Sequence, residues 1–317
     1  MRQAFSLIEM IFVIVIISFL SGATYKAFEM ILIRSFKAKE ITRLSTESQV
    51  SVNVISSYLK NRVPYTVIGY NSSDGSYKYI GNLTSDDNMT ILEWYGLANE
   101  AFELGDYSGF MDMATKDSAT STIASQNSDG SLLNDTEKKK FNSSDDIYAN
   151  KIVNLIFAGS FDRGYGGTHD YNDTFGWHGG NSYDAFDFTM DSEGNITIDD
   201  SDKPEFIYEK YFVVDTAYAI ARGSDIDQAA TCIDTLAIKE KDLNNTLLLF
   251  SNYRPWKGET FCADKAGNTE GNVSVLMQHI AAFRFEDIDY TIRVGLDINR
   301  TIRGSKPIHL SKMKVIF

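Results

Sequence analysis

The sequence predicts an α+β fold in which one long N-terminal α-helix packs on a C-terminal, antiparallel β-rich body with long loops. Three observations support this prediction. Residues 5–20 are apolar except for two serines and one carboxylate, residues 23–63 contain no glycine or proline, and the rest of the chain alternates strand-like segments with turn-rich stretches. We therefore expect a leader at 1–4, a stem helix at 5–63 and a globular body at 64–317.

The stem begins with a segment long enough to cross a membrane. Residues 5–23 would form a helix of about 28 Å, close to the ~30 Å hydrocarbon core of a bilayer. Apolar residues then recur mostly three or four positions apart between residues 25 and 59, which indicates an amphipathic continuation. Pro64 is expected to end the helix, because the residue before a proline disfavours helical geometry.

Beyond Pro64 the pattern is typical of strands joined by short links, which favours antiparallel pairing. The predicted strands are 65–70, 89–95, 151–158, 185–190, 196–199, 206–221, 273–286, 290–299 and 312–317, with a hairpin turn at 191–195. Two stretches rich in Gly, Ser, Asp and Asn, 105–146 and 159–203, are predicted to be long functional or mobile loops. The three lysines at 138–140 are interpreted as a solvated surface.

Charge separates the stem from the body. The chain of 317 residues has 30 Lys and Arg against 43 Asp and Glu, a net charge of −13. The first 63 residues hold eight Lys and Arg against four Glu, so the negative excess lies entirely in the body. An acidic body repels a phosphate backbone, and we expect no nucleic acid partner.

Glu9 is the carboxylate within the apolar run. A charged side chain at the centre of a membrane helix costs about 2.5–3.5 kcal/mol on insertion scales, so a compensating cation is expected. A cut after Ala4 would give Phe5 a new α-amino group. The amine of a neighbouring copy, staggered along a bundle, could then meet the carboxylate, which would set the register between packed stems.

These residues resemble the type IV pilin and type II secretion pseudopilin superfamily. Its signature is a short basic leader, cleavage by a prepilin peptidase before a Phe that becomes N-methylated, and a Glu at the fifth mature position. The resemblance implies that Ala4 precedes the cut, that Phe5 becomes the methylated N-terminus and that Glu9 is the register carboxylate. Ala4 stands where the family usually has Gly.

The resemblance implies a non-enzymatic structural subunit of a type II secretion pseudopilus or a type IV pilus. The stretches at 211–222 and 273–299 resemble the large minor subunits, namely J-type pseudopilins and W-type minor pilins, which lie near the filament tip. The implied partners are other pilins or pseudopilins through the stem, the prepilin peptidase, the inner-membrane assembly platform and secreted cargo. The implied location is the bacterial inner membrane, single-pass, with the body in the periplasm until assembly.

Two alternatives fit the same N-terminal residues. An ordinary signal peptide cleaved after residue 23 would release a soluble periplasmic enzyme or sugar-binding protein that begins at Thr24. An adhesive or DNA-uptake tip pilin would share the stem and use the long loops to hold a ligand. The positive-inside rule favours the opposite orientation, because one Arg precedes the span and five Lys and Arg soon follow it; the signs of export in the body outweigh that rule.

The two cysteines, Cys232 and Cys262, are the first sign of export. They are enough for one disulfide, which suits an oxidising periplasm. A loop of this size corresponds to about 3–4 kcal/mol in the chain-entropy model. Spacing alone also allows two separate thiols.

Asn-x-Ser/Thr triplets are the second sign. Six of them have an acid two residues before the Asn, which resembles the acceptor of bacterial oligosaccharyltransferases. These glycosylation candidates are Asn88, Asn172, Asn195, Asn244, Asn272 and Asn299. A surface rich in Asp, Asn and turns explains the same residues without any sugar.

The sequence contains no recognisable catalytic motif, and we expect no cofactor. Hard oxygens cluster in the predicted hairpin, where the weak calcium candidates are Asp191, Glu193, Asn195 and Asp199. Because the EF-hand order is not matched, a plain β-turn is the favoured interpretation. His169 and His178 lie in a Gly- and aromatic-rich stretch without ligand spacing, so a loop surface is favoured over a metal site.

Overall fold

The computed structural model describes residues 7–84, 86–116, 122–159, 174–199, 206–226, 231–233, 236, 238–262, 271–289, 291–302 and 306–317. In these parts of the chain the helices are α1 (Leu7–Lys60), α2 (Asn99–Leu104), α3 (Gly130–Phe141) and α4 (Glu240–Leu243). The strands are β1 (Ile68–Asn71), β2 (Ser76–Tyr79), β3 (Ile91–Leu97), β4 (Thr122–Ala124), β5 (Asn154–Phe157), β6 (Phe188–Met190), β7 (Asn195–Ile198), β8 (Tyr211–Arg222), β9 (Thr246–Tyr253), β10 (Asn272–Gln278), β11 (Ile280–Ile288), β12 (Thr291–Arg300) and β13 (Ile308–Ile316). The predicted α+β fold class is confirmed.

The stem is one helix of 54 residues, α1, without a break between its apolar and amphipathic halves. It ends at Lys60, before the predicted boundary, because the following residues join the body. Arg62 forms an isolated antiparallel β-bridge with Gly96, and the amide of Val63 donates a hydrogen bond to the carbonyl of Tyr95 at 2.9 Å. Val63 is extended, as expected of a residue before proline, and Pro64 opens a short 3-10 turn.

In its described residues the body has one large antiparallel sheet and two small ones. The large sheet has the order β10-β9-β8-β3-β1-β2, and β5 pairs with the first part of β8. The small sheets have the orders β11-β12-β13 and β4-β7-β6. Every strand pair in the described residues is antiparallel, as predicted.

The second half of α1 packs between the large sheet and the β11-β12-β13 sheet. Leu44, Val52, Ile55 and Leu59 recur at helical spacing and are fully or almost fully buried in one cluster with residues of both sheets, among them Trp94. Full burial of one such aliphatic side chain contributes about 1.5–3 kcal/mol relative to exposure. The four together are sufficient to hold the base of the stem rigidly on the body.

Two further clusters complete the interior. On the other side of the large sheet, Tyr95, Trp177, Phe250 and Tyr253 pack together with Cys232. A third cluster joins α2 and α3 to the β4-β7-β6 sheet and to β5, and Leu133 of α3 is fully buried in it. The long strand β8 contributes to all three clusters, which makes it the central element of the body.

Several predicted element boundaries are wrong for physical reasons. The strand predicted at 273–286 is two strands, because His279 has a φ of 67° and breaks the extended backbone. Strand β9 was not predicted. Its sequence, TLLLFSNY, is a continuous apolar run rather than an alternating one, and its first five residues are buried, so it lacks the period of two that marks a half-exposed strand.

The stretch predicted as a long loop at 105–146 contains β4 and α3. The side chain of Asp129 caps α3 by accepting from the amides of Ser131 and Leu132, and Asn142 ends the helix in the left-handed conformation. Polar caps at both ends made this helix resemble a loop in the sequence. Of the second predicted loop, 159–203, the described part at 174–199 contains the hairpin of β6 and β7, and 160–173 and 200–203 lie outside the described residues.

Candidate assembly surface

The first half of α1 projects from the body. Every residue from 7 to 32 is exposed, and Leu44 is the first residue of the helix that is buried against the body. The segment is long and apolar enough to cross a membrane, and none of it is buried. A helix that is apolar on all sides is not stable in water, because nothing covers its side chains. The bare segment therefore requires lipid or other helices around it.

Glu9 lies on this bare segment and is exposed near the start of the described helix. A carboxylate in the first turns of a helix is favoured by the unpaired amides and the positive end of the helix dipole. Ala4 and Phe5, the predicted cleavage and methylation residues, lie outside the described residues. Their position relative to Glu9 stays a prediction.

Polar contacts fix the base of the stem to the body. Glu40 forms an ion pair with Arg300 at the end of β12, with 2.9 Å between Oε1 and Nη1. The hydroxyl of Ser51 donates to the carbonyl of Leu276 in β10 at 2.9 Å, and Lys314 in β13 donates to the Asn53 side chain at 3.1 Å. The bare part of the stem, residues 7–39, is thus a rod of about 50 Å with a fixed base.

Residues 1–25 match the prokaryotic N-terminal methylation motif. No curated protein and no solved structure matches the chain. The methylation motif supports a pilin- or pseudopilin-type protein that prepilin peptidase processes and that assembles with other pilin subunits. Together with the bare apolar helix, it fits a membrane-anchored subunit with a structural role.

Outside the methylation motif, the structure joins Cys232 to Cys262 by a disulfide, with 5.4 Å between the Cα atoms. Cys232 lies in the short turn Thr231–Ile233 and is buried against the cluster that contains Phe250. The bridge lies far from the stem in sequence and ties two irregular segments to the same face of the large sheet.

The calcium candidates lie at the hairpin of β6 and β7. Asp191 Oδ1 accepts from the amides of Glu193 and Asn195, both at 2.9 Å, and Oδ2 accepts from Asn195 Nδ2 at 2.8 Å. The hydrogen bond from the Asn195 side chain is the main reason that the pKa of Asp191 lies below its ordinary value. Both oxygens of Asp191 thus serve the turn, and Asp199 lies past the end of β7. The described residues include no group of three His, Cys, Asp or Glu that could hold a metal.

His178 is not a loop-surface residue, contrary to the prediction. Its Nε2 lies 2.7 Å from Glu93 Oε1, and its ring stacks on Tyr70 with 3.7 Å between centroids. The Tyr253 hydroxyl donates to the other oxygen of Glu93 at 2.8 Å. Glu93, a buried residue of strand β3, thus anchors the segment that carries His178. The hydrophobic period of the sequence gives no sign of this contact. His169 lies outside the described residues.

The glycosylation candidates differ in accessibility. The exposed ones are Asn88, Asn244, Asn272 and Asn299. Asn195 is half-buried, and its side-chain amide donates to Asp191. Asn172 lies outside the described residues.

Sequence reasoning also missed a polar cluster in which Lys140 meets the buried carboxyl groups of Glu137 and Asp215. The lysines at 138–140 were predicted to form a solvated surface, and Lys139 and Lys140 are exposed. The ammonium of Lys140 nevertheless reaches inward and forms an ion pair with the fully buried carboxylate of Asp215. The signal in the sequence was the lone acid in the apolar run of β8.

Proposed function

We propose that the chain is a minor pilin or pseudopilin, a structural subunit of a type II secretion pseudopilus or a type IV pilus. The observation that carries the proposal is the bare apolar half of α1, which overlaps the methylation motif and has Glu9 near its start. Such a rod is covered by lipid before assembly and by neighbouring stems afterwards.

The continuity of α1 argues against a signal peptide. Cleavage after residue 23 would cut the middle of an unbroken helix and leave Tyr25, Phe28 and Leu32 exposed at the start of a soluble protein. Cleavage after Ala4 instead keeps the whole rod. The body then belongs on the periplasmic side of the inner membrane, where an oxidising environment suits the bridge between Cys232 and Cys262.

The size of the body favours a place at the filament tip. The body spans residues 64–317, and its described residues form three sheets. A tightly packed shaft leaves little room for a body of this bulk. At the tip, the body meets other minor subunits or secreted cargo. The proposed subclass is the J-type pseudopilin or W-type minor pilin.

The first experiment is mass spectrometry of the N-terminal peptide of the protein purified from membranes. We expect a peptide that begins with N-methylated Phe5. A peptide that begins at Thr24 would overturn the proposal in favour of a soluble exported protein.

The second experiment tests the role of Glu9 in assembly. We expect Glu9→Leu to reduce crosslinking of the subunit to its filament partners by about five- to thirtyfold, because one polar contact between helices in the membrane is worth about 1–2 kcal/mol. Glu29→Leu is the matched control, since Glu29 is also exposed on α1 but lies outside the apolar run. Equal crosslinking of the two variants would contradict a register role.

We also propose that the exposed candidates Asn88, Asn244, Asn272 and Asn299 are glycan acceptors in cells that have a periplasmic oligosaccharyltransferase. Asn195 is the internal control, because the bond of its amide to Asp191 must break before modification. Peptide mass spectrometry of the protein purified from membranes shows which of these asparagines carry sugar. Sugar on Asn195 with none on the exposed sites would refute the proposal.

A further inference from the structure

Three ionisable side chains, two of them buried, meet where α3 packs on β8. Glu137 and Lys140 are one helical turn apart on α3, and Asp215 lies in β8. Glu137 and Asp215 are both completely buried, and the side chain of Lys140 is 24% exposed. Burial of charges in this way is weak evidence for stability, because their desolvation cost is as large as their mutual attraction. The arrangement calls for another explanation.

The three groups lie next to one another. Lys140 Nζ contacts Asp215 Oδ2, and the carboxyl group of Glu137 lies close enough to Asp215 for the two to interact electrostatically. Neither oxygen of Glu137 has a hydrogen-bond partner in the described residues, and Asp215 Oδ1 has none either. Two neighbouring buried carboxyl groups repel each other unless one of them carries a proton. Burial, together with the charge of Asp215, raises the pKa of Glu137 to about 9, so Glu137 is the protonated member at neutral pH.

The surroundings combine aromatic rings with one further cation, Arg254, whose charge also acts on Asp215. The ammonium of Lys140 lies 5.3 Å from the centre of the Phe141 ring, and the guanidinium of Arg254 lies 4.7 Å from the same ring. Tyr107 is buried close to Asp215 and Glu137. An amine and an acid held in contact away from water react far faster than the same groups in solution, because association costs no entropy and solvent does not compete.

We propose that the side chains of Lys140 and Asp215 condense into an amide bond within the folded protein, with Glu137 as the proton carrier. This covalent crosslink goes beyond the proposed filament function and uses only groups of this chain. No oxidant, metal or second substrate is required, and the by-product is one molecule of water.

The reaction balances in atoms and charge. The ammonium of Lys140 first passes a proton to the Asp215 carboxylate, and the neutral Nζ attacks Cγ while Glu137 protonates the carbonyl oxygen. Glu137 then takes a proton from the nitrogen, gives it to one hydroxyl, which leaves as water, and removes the proton of the other hydroxyl as the C=O bond forms again. Glu137 ends protonated, as it began.

Formation of the amine is the slow step. Burial by itself lowers the pKa of Lys140, but the facing carboxylate of Asp215, with a smaller contribution from Glu137, outweighs burial and raises it. The lysine is therefore charged at neutral pH, and the attacking amine appears only when its proton moves to Asp215.

The finished bond would close a covalent ring that contains β5, β6 and β7 and would tie α3 to the central strand of the body.

The test is the intact mass of the full-length chain, purified in detergent and fully reduced so that the cysteines do not contribute. We expect a mass lower than that of the processed sequence by one water, and fragmentation of a peptide pair that links residue 140 to residue 215. A folded protein with the unmodified mass would overturn the proposal, and this measurement needs no variant.

Variants separate the roles of the three residues. Lys140→Arg is expected to abolish the mass loss, whereas Lys139→Arg, which changes the exposed neighbour, is expected to retain it. In Asp215→Asn, condensation of the Lys140 amine with the new side-chain amide is expected to release ammonia instead of water. Glu137→Gln keeps the shape but lacks the acid, so the mass loss should become at least about tenfold slower; an unchanged rate in folded Glu137→Gln would overturn the role of Glu137.

Discussion

Glu40 of the stem and Arg300 at the end of β12 form an ion pair across the junction between rod and body, with 2.9 Å between Oε1 and Nη1. Arg300 also donates to Nε2 of His279, the residue that separates β10 from β11. Both side chains of the ion pair are partly exposed, so the pair contributes about 0.2–1 kcal/mol, and less at high salt. It orients the stem more than it stabilises the fold.

The junction is expected to weaken in acid through His279. Burial and the nearby cations Arg300 and Arg43 lower the pKa of His279, against the smaller opposing effect of Glu40 and Glu47. A lowered pKa in the folded state means that the unfolded state binds the proton more readily, so stability is full above the ordinary His value of about 6.5 and falls below it.

We therefore expect His279 to lower the free energy of unfolding between about pH 7 and pH 5, against the opposite contribution of Glu137, and His279→Gln to remove this loss. The quantity to compare is the pH slope of the variant against that of the wild type. Urea unfolding of the full chain in detergent, repeated between about pH 7 and pH 5, measures the free energy of unfolding of each protein. His309→Gln is the matched control, because His309 is exposed on β13. A wild-type slope in His279→Gln would contradict the assignment.

Replacement of Glu93 by Leu should destabilise the body. The variant leaves the buried hydroxyl of Tyr253 and the ring of His178 without their shared acceptor, and each unsatisfied buried group costs about 1–3 kcal/mol. The checks are the urea midpoint and the rate of proteolysis within 174–187. Glu103→Leu, at an exposed position on α2, should change the unfolding free energy by less than about 0.5 kcal/mol.

Replacement of Gly194 by Ala should disrupt the hairpin of β6 and β7. Gly194 has a φ of +80°, and an added Cβ would lie 2.4 Å from the Ser125 carbonyl oxygen and 2.6 Å from that of Ser128. Gly75→Ala is the control, since Gly75 has a similar φ of +73° and open space around it. Backbone strain alone costs about 1–2 kcal/mol, so Gly194→Ala should exceed Gly75→Ala in a thermal unfolding comparison, and equal losses would show that packing against Ser125 is unimportant.

Removal of the disulfide by the double substitution Cys232→Ser and Cys262→Ser should lower the unfolding free energy by about 3–4 kcal/mol. Urea unfolding of oxidised wild type and the double variant gives the difference. Thiol labelling of the denatured, unreduced wild type should detect no free cysteine. Stoichiometric labelling of both residues would show that the protein carries thiols instead.

The stem was predictable because its signals are local. The apolar run, the absence of glycine and proline, and Pro64 each act on neighbouring residues, and α1 follows from them almost to its end. Predictions for the body were good where strands alternate, as in β12. They failed for β9, which is buried from its first residue and so does not alternate. They also failed for α3, because the polar residues that cap its two ends resemble a loop in the sequence.

The sequence by itself determined the rod, its single acid and the antiparallel character of the body, since these depend on hydrophobic period, length and turn residues. Only the tertiary structure decided that Glu93 meets His178 and that Lys140 meets Asp215. Each of those pairs brings together residues at least 75 positions apart. Such contacts depend on how β3, β8 and α3 pack, and burial then makes ordinary charged side chains act as anchors or as a reactive group.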